Sequence, residues 1–250
     1  MTTTERGTAG MTGRQRFVLV LLLTAGFTLA VDFSVLTVAL PAIGADVGFA
    51  LGNLQWIATA FALCAAGCTL LFGRVADLLG RRRVFLAGMT LLGVASLAGG
   101  LAVSPAMLLA ARAAQGLATA AVTPAALALL TTSFPEGPLR ERALGLNGSL
   151  MAAGFTAGAI LGGVLTDLLS WRWAFFLNVP VAAFVLLAAP RVLDEHRPDR
   201  RAKADLPGAL TVTLGLLAVV YAATTAGARS WGDPRVLLSL AAGVVLLGLF

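Results

Sequence analysis

Apolar residues run with little interruption over positions 17–40 and again over 144–168. A soluble core of this size has no room for such runs, whereas a bilayer crossing takes about 20 residues of helix. Between charged or Pro/Gly breaks the same pattern recurs at 54–72, 84–103, 106–131, 174–189, 207–226 and from 236 onward, which predicts about eight spans. Lipid offers backbone amides no hydrogen bonds, so each span satisfies its own and is expected to be a helix. The last run reaches Phe250 still apolar and without a polar flank, and the chain is expected to continue beyond it.

Composition agrees with the pattern. The 250 residues are 58% hydrophobic and 12% charged, against about 25% charged in a soluble domain. Charge then orients the spans. Arg6, Arg14, Arg16, Arg74, Arg81, Arg82, Arg83, Arg140, Arg142, Arg191, Arg197, Arg200, Arg201 and Lys203 fall on one side, and Arg172, Arg229 and Arg235 on the other. The Arg-rich side, with the N-terminus, is expected to be cytoplasmic. The net charge of +6 thus describes topology and anionic-lipid contact, and no nucleic-acid partner is expected. The first apolar run is too long for a signal-peptide core of ~7–15 residues and reads as an uncleaved helix.

The expected organisation is a cytoplasmic tail at 1–16, a six-helix bundle at 17–190, a charged linker at 191–205 and two further helices at 206–250, the last incomplete. A tight turn at Ser104-Pro105 divides the six into two groups of three, the arrangement of nested inverted repeats in transporters. His196, in the linker, reads as a solvated loop histidine. Cys64 and Cys68, one helical turn apart in the second span, read as small packing residues with no disulfide or metal site.

Ionisable groups inside a span cost about 2.5–3.5 kcal/mol on insertion scales and call for an explanation. Asp32 and Arg112 are the clear cases. At ~1.5 Å per residue they lie roughly 12 and 9 Å inside the outer edge on antiparallel helices. Burial favours a neutral acid and a guanidinium favours its anion, so a pair whose separation changes is suited to proton coupling. The plainer alternative is a permanent ion pair, or separate hydrogen bonds, that only fixes helix packing.

The loop after the second span, GRVADLLGRRR from position 73, is physically a topology anchor whose glycines permit close helix approach. Gly73, Asp77, Gly80, Arg81 and Arg82 also match the pattern G-x-x-x-D-x-x-G-R-R/K, and here the chain resembles the major facilitator superfamily. Three segments narrow the resemblance to the 14-helix drug:proton antiporters, the EmrB/QacA-like group: DFSVLTVALP from Asp32, R-x-x-Q-G at Arg112, Gln115 and Gly116, and WRWAFFLNVP from Trp171. The resemblance implies a gating role for Asp77 and a proton-transfer role for Arg112. It also implies the fold, an all-α N-terminal bundle of two three-helix inverted repeats plus two helices. Gly154, Gly158, Gly162 and Gly163 match the antiporter signature G-x-x-x-G-P-x-x-G-G except that Ala159 replaces the proline. On packing grounds alone the glycines make a smooth ridge.

Trp171 and Trp173 read as interfacial aromatics, and Asp167 as a partner for Arg172. Asn147 begins an N-G-S triplet at the cytoplasmic mouth of its span, out of reach of glycosylation. No nucleotide loop, catalytic carboxylate pair or nucleophile-base pattern is present, so neither an enzyme, a cofactor nor an ATP-driven pump is expected. The expected activity is proton-coupled export of hydrophobic or cationic small molecules across a cell membrane, in a bacterial inner membrane, with a C-terminal bundle beyond Phe250 as partner. The alternatives are a symporter, a single-metabolite exporter or a truncated membrane protein that does not transport.

Overall fold

The computed structural model describes residues 11–194, 206–228 and 230–248. Most of the charged linker, with His196, Arg197, Arg200, Arg201 and Lys203, lies outside the described residues, as do Arg6, Arg229 and Phe250. The described chain forms α1 (Gly13–Val47), a 3-10 turn (Leu51–Asn53), α2 (Gln55–Leu79), α3 (Arg81–Gly100), α4 (Pro105–Ser133), α5 (Pro138–Leu168), α6 (Arg172–Phe176), α7 (Asn178–Val192), α8 (Leu206–Ala228) and α9 (Pro234–Gly248). Among the described residues, seven helical stretches are long and apolar enough to cross a membrane, with α6 and α7 together making one of them. The shorter apolar helix α9 takes the place of the eighth expected span.

Helix ends follow local chemistry. Thr12 and Gln15 form a reciprocal capping box that starts α1 ahead of its apolar run. Ser104 caps α4 through the Met107 amide, with Pro105 at the first helical position, where its missing N–H costs nothing. Four boundaries differ from expectation. α2 runs on past Phe72 to Leu79, into the expected loop. α1 continues through Pro41 to Val47. α5 begins at Pro138 and absorbs much of the expected loop up to Arg142. The sixth span is broken at Leu177, between α6 and α7.

α1 packs on α5, α2 on α4, α3 on α4 and α7, and α7 on α1. Exchanging α1, α2 and α3 for α4, α5 and α6–α7 maps this pattern onto itself, the relation expected of two inverted repeats. Two apolar clusters fill the bundle. One, toward the Arg-rich end, gathers Leu22, Phe85, Met89, Leu129 and Val185. The other, toward the opposite end, gathers Val35, Ile43, Ile57, Leu108 and Phe175. The α8–α9 pair rests on α2, where Leu217 fills the space beside Gly67 and Tyr221 meets Trp56.

The candidate site: a buried polar layer

Between the two apolar clusters lies a layer of fully buried polar side chains: Asp32 on α1, Ser96 on α3, Arg112 and Gln115 on α4, and Asn178 on α7. Arg112 NH1 donates to Asp32 Oδ2 at 3.2 Å and to Gln115 Oε1 at 2.8 Å, while Arg112 Nε donates to the Ile57 carbonyl at 3.2 Å. Gln115 Nε2 donates to Asp32 Oδ1 and to Ser96 Oγ, both at 2.9 Å. Asn178 Nδ2 donates to the same two atoms, at 2.5 and 3.2 Å. The carboxylate thus receives three N–H donors, and the guanidinium lies 4.3 Å above the Phe61 ring centroid. Breaking such a pair by removing one partner strands the other charge in a dry interior.

The fold brings together Asp32, Arg112 and Gln115 of the expected site and adds Asn178 and Ser96. Reasoning from ionisable residues passes over these neutral side chains. The available signal was Asn178, a lone amide inside the apolar stretch FFLNVPV. Asn178 Oδ1 is buried with no hydrogen-bond partner among the described residues.

Gly116 stands behind the layer, where a Cβ would run into the Phe61 carbonyl and Cys64, so its lack of a side chain sets how closely α4 approaches α2. On α5, a Cβ at Gly154, Gly158 or Gly162 would collide with α1 backbone, at 2.8 Å from the Val31 carbonyl in the case of Gly158. Gly163 is different. A Cβ there would lie 3.9 Å from Val38, an ordinary contact, so Gly163 does not belong to the close-packed ridge expected of the four glycines.

The segment from Gly73 to Arg83, expected as a loop, is helical except at Gly80, with Gly73 to Leu79 closing α2 and Arg81 to Arg83 opening α3. It lies at the Arg-rich end, apart from the polar layer. Gly80 joins α2 to α3 at φ 102°, a backbone region that disfavours side chains. Gly73 has room for a methyl group, 3.8 Å from Pro124, so close approach does not account for it. Asp77 meets Arg81 at 3.4 Å, a long and partly exposed pair, and Arg82 donates to the Pro190 carbonyl near the end of α7 at 2.9 Å.

At the opposite end, Arg172 does not turn to Asp167. Its NH2 reaches Asp46 at 3.0 Å and its NH1 the Gly100 and Ala102 carbonyls at 3.0 and 2.7 Å, while Trp171 Nε1 also donates to Asp46. Trp171 is buried, and Trp173 is half exposed. Among the described residues no cluster of His, Cys, Asp and Glu is suited to a metal ion.

Known proteins resemble the chain in sequence and in fold. The chain is 44% identical over 97% of its length to the cephamycin export protein CmcT of Amycolatopsis lactamdurans, and 43% identical over 93% to the puromycin resistance protein pur8 of Streptomyces alboniger. It spans about half the length of these relatives, 50% and 46%. In fold it is similar to the human organic anion transporter MFSD10 (TETRAN), with a TM-score of 0.63 at 20% identity over 90% of this chain and 59% of that one. The apolar helices and these relatives make it a multi-pass cell-membrane protein. Residues 22–250 match the Major Facilitator Superfamily, and the chain belongs to that family.

Proposed function

We propose that the chain is the N-terminal part of a proton-coupled exporter of hydrophobic or cationic drugs that works by alternating access, with protons as the countersubstrate. The observation that carries this reading is the Asp32–Arg112 pair at 3.2 Å, completely buried and shared between α1 and α4. While the helices stay together, one guanidinium and two amides donate to the carboxyl group and favour its anion over the proton-bound form. Parting α1 from α4 removes the guanidinium together with the Gln115 amide and leaves the buried carboxyl group with the Asn178 amide, where it takes a proton. Asn178 Oδ1 is an acceptor available to the resulting hydroxyl.

A second bundle beyond Phe250, the counterpart of the half of each relative that this chain does not span, belongs to the same reading. So does a gating role for Asp77 and the α2–α3 junction that follows it. The names of the two relatives support drugs as the substrate class, and puromycin, an amphipathic aromatic amine, is the first to test. In everted vesicles carrying the full-length protein, an imposed proton gradient drives puromycin inward, and puromycin in turn releases protons. Asp32→Asn abolishes both. Proton-dependent flux undiminished in that variant overturns the assignment. Ala159 stands where the antiporter signature has proline, so the antiport reading rests on the other motifs, and substrate moving down the proton gradient instead of against it would establish the alternative of an uptake symporter.

A further inference from the structure

The polar layer reaches the outside of the bundle through a series of aromatic rings. Phe61 on α2 is buried and gives its face to the Arg112 guanidinium. Phe33 on α1 meets Phe61 edge to face, with centroids 5.7 Å apart, and Phe155 on α5 meets Phe33 at 5.3 Å in the same manner. Phe33 and Phe155 are 44% and 42% exposed. The rings belong to α1, α2 and α5, whereas α3 and α7 close the layer with Ser96 and Asn178.

Two further features join these rings to the ion pair. Phe33 follows Asp32 directly, so one stretch of backbone carries both the outward ring and the inward carboxylate. The Ile57 carbonyl, one turn before Phe61 on α2, holds Arg112 Nε, so movement of Phe61 and movement of the guanidinium are mechanically linked. A ring that merely faced lipid would need neither connection. Exposed rings of this kind bind a flat aromatic face by edge-to-face or offset stacking, and a positive amine by cation–π attraction.

Building on the proton-coupling reading above, we infer that Phe33 and Phe155 contact the transported molecule and that Phe61 positions Arg112, so that the ring series carries substrate occupancy to the Asp32–Arg112 pair. The ligand class is an amphipathic molecule with an aromatic face and a positive amine. Phe33 and Phe155 set affinity, and Phe61 sets turnover.

Initial rates of puromycin transport by the full-length protein in everted vesicles, normalised to the protein in the membrane, test this. Phe33→Leu and Phe155→Leu raise KM about two- to tenfold with kcat little changed, and Phe33→Tyr restores it. Phe61→Leu lowers kcat at nearly constant KM, and Phe61→Tyr, which keeps the ring face for the guanidinium, recovers it. Equal effects of Leu and Tyr at either position would reduce the rings to packing and overturn the inference. Ring variants kinetically identical to wild type would overturn it alone, while a wild type that moves no puromycin overturns it together with the functional reading.

Discussion

Arg112 NH1 lies 3.2 Å from Asp32 Oδ2, and both side chains are shut off from the surface. Asp32→Asn keeps the shape of the site but leaves the guanidinium uncompensated, a cost of about 3–5 kcal/mol for a buried pair broken on one side. Asp32→Asn combined with Arg112→Gln removes both charges. The double variant should recover most of the single variant's lost thermal stability in detergent yet remain inactive in proton-coupled flux. Stability and coupling therefore separate at this pair, and a double variant that regains flux would show that the ion pair is structural.

Asn178 and Gln115 each give Asp32 Oδ1 an N–H and each bond Ser96 as well. Asn178→Leu fills the space with apolar atoms and removes the amide. The loss of one hydrogen bond to a charged group and one to a hydroxyl is expected to cost about 1–3 kcal/mol, read as a lower melting temperature. Its effect on proton release should exceed that of Ser96→Ala, because Ser96 touches the carboxylate only through the two amides.

The outer clasp behaves differently because water reaches it. Asp46 and Arg172 form an ion pair whose side chains are 51% and 30% exposed, and such pairs contribute about 0–1 kcal/mol. Asp46→Asn should therefore change the melting temperature little, with the remaining oxygen still able to accept from Trp171. Arg172→Ala should cost more, since it also abandons the Gly100 and Ala102 carbonyls at the end of α3. Equal melts for the two variants would contradict this order.

These residues also show how far the chain could be read before its structure. The spans, their charge asymmetry and the depth shared by Asp32 and Arg112 all follow from transfer energetics, which act residue by residue. Ser96 and Asn178 give a far weaker signal than the charged pair, because a neutral polar side chain costs little in a span when taken singly. Their role exists only when α3 and α7 bring them to the same carboxylate. For Arg172, Asp167 is the near partner in sequence, whereas the actual one comes from α1. Periodicity placed four glycines on α5 but could not tell Gly163, which has space, from Gly162, which abuts Val35.

That contrast yields a direct comparison. Gly163→Ala should change the melting temperature by no more than an exposed substitution does, within about 0.5 kcal/mol. Gly162→Ala pushes α5 away from the α1 backbone and should cost about 1–3 kcal/mol. Similar melts for the two would mean that the α1–α5 crossing is looser than its geometry implies.

Ala159 gives the last test. A proline at this position would withdraw the N–H that bonds the carbonyl of residue 155, and an interior helix proline ordinarily costs about 3 kcal/mol or more. Phe155's carbonyl, however, already accepts the Ser34 hydroxyl from α1 at 2.7 Å. The second donor that a kink would require is thus in place without the proline. Ala159→Pro should be tolerated with a loss smaller than that ordinary cost, whereas Ala159→Pro in a Ser34→Ala background should lose the full amount. A melt difference between the two backgrounds no larger than the effect of Ser34→Ala alone would show that the hydroxyl does not support the kink. If the difference holds, α1 is built to accept the antiporter proline that α5 lacks.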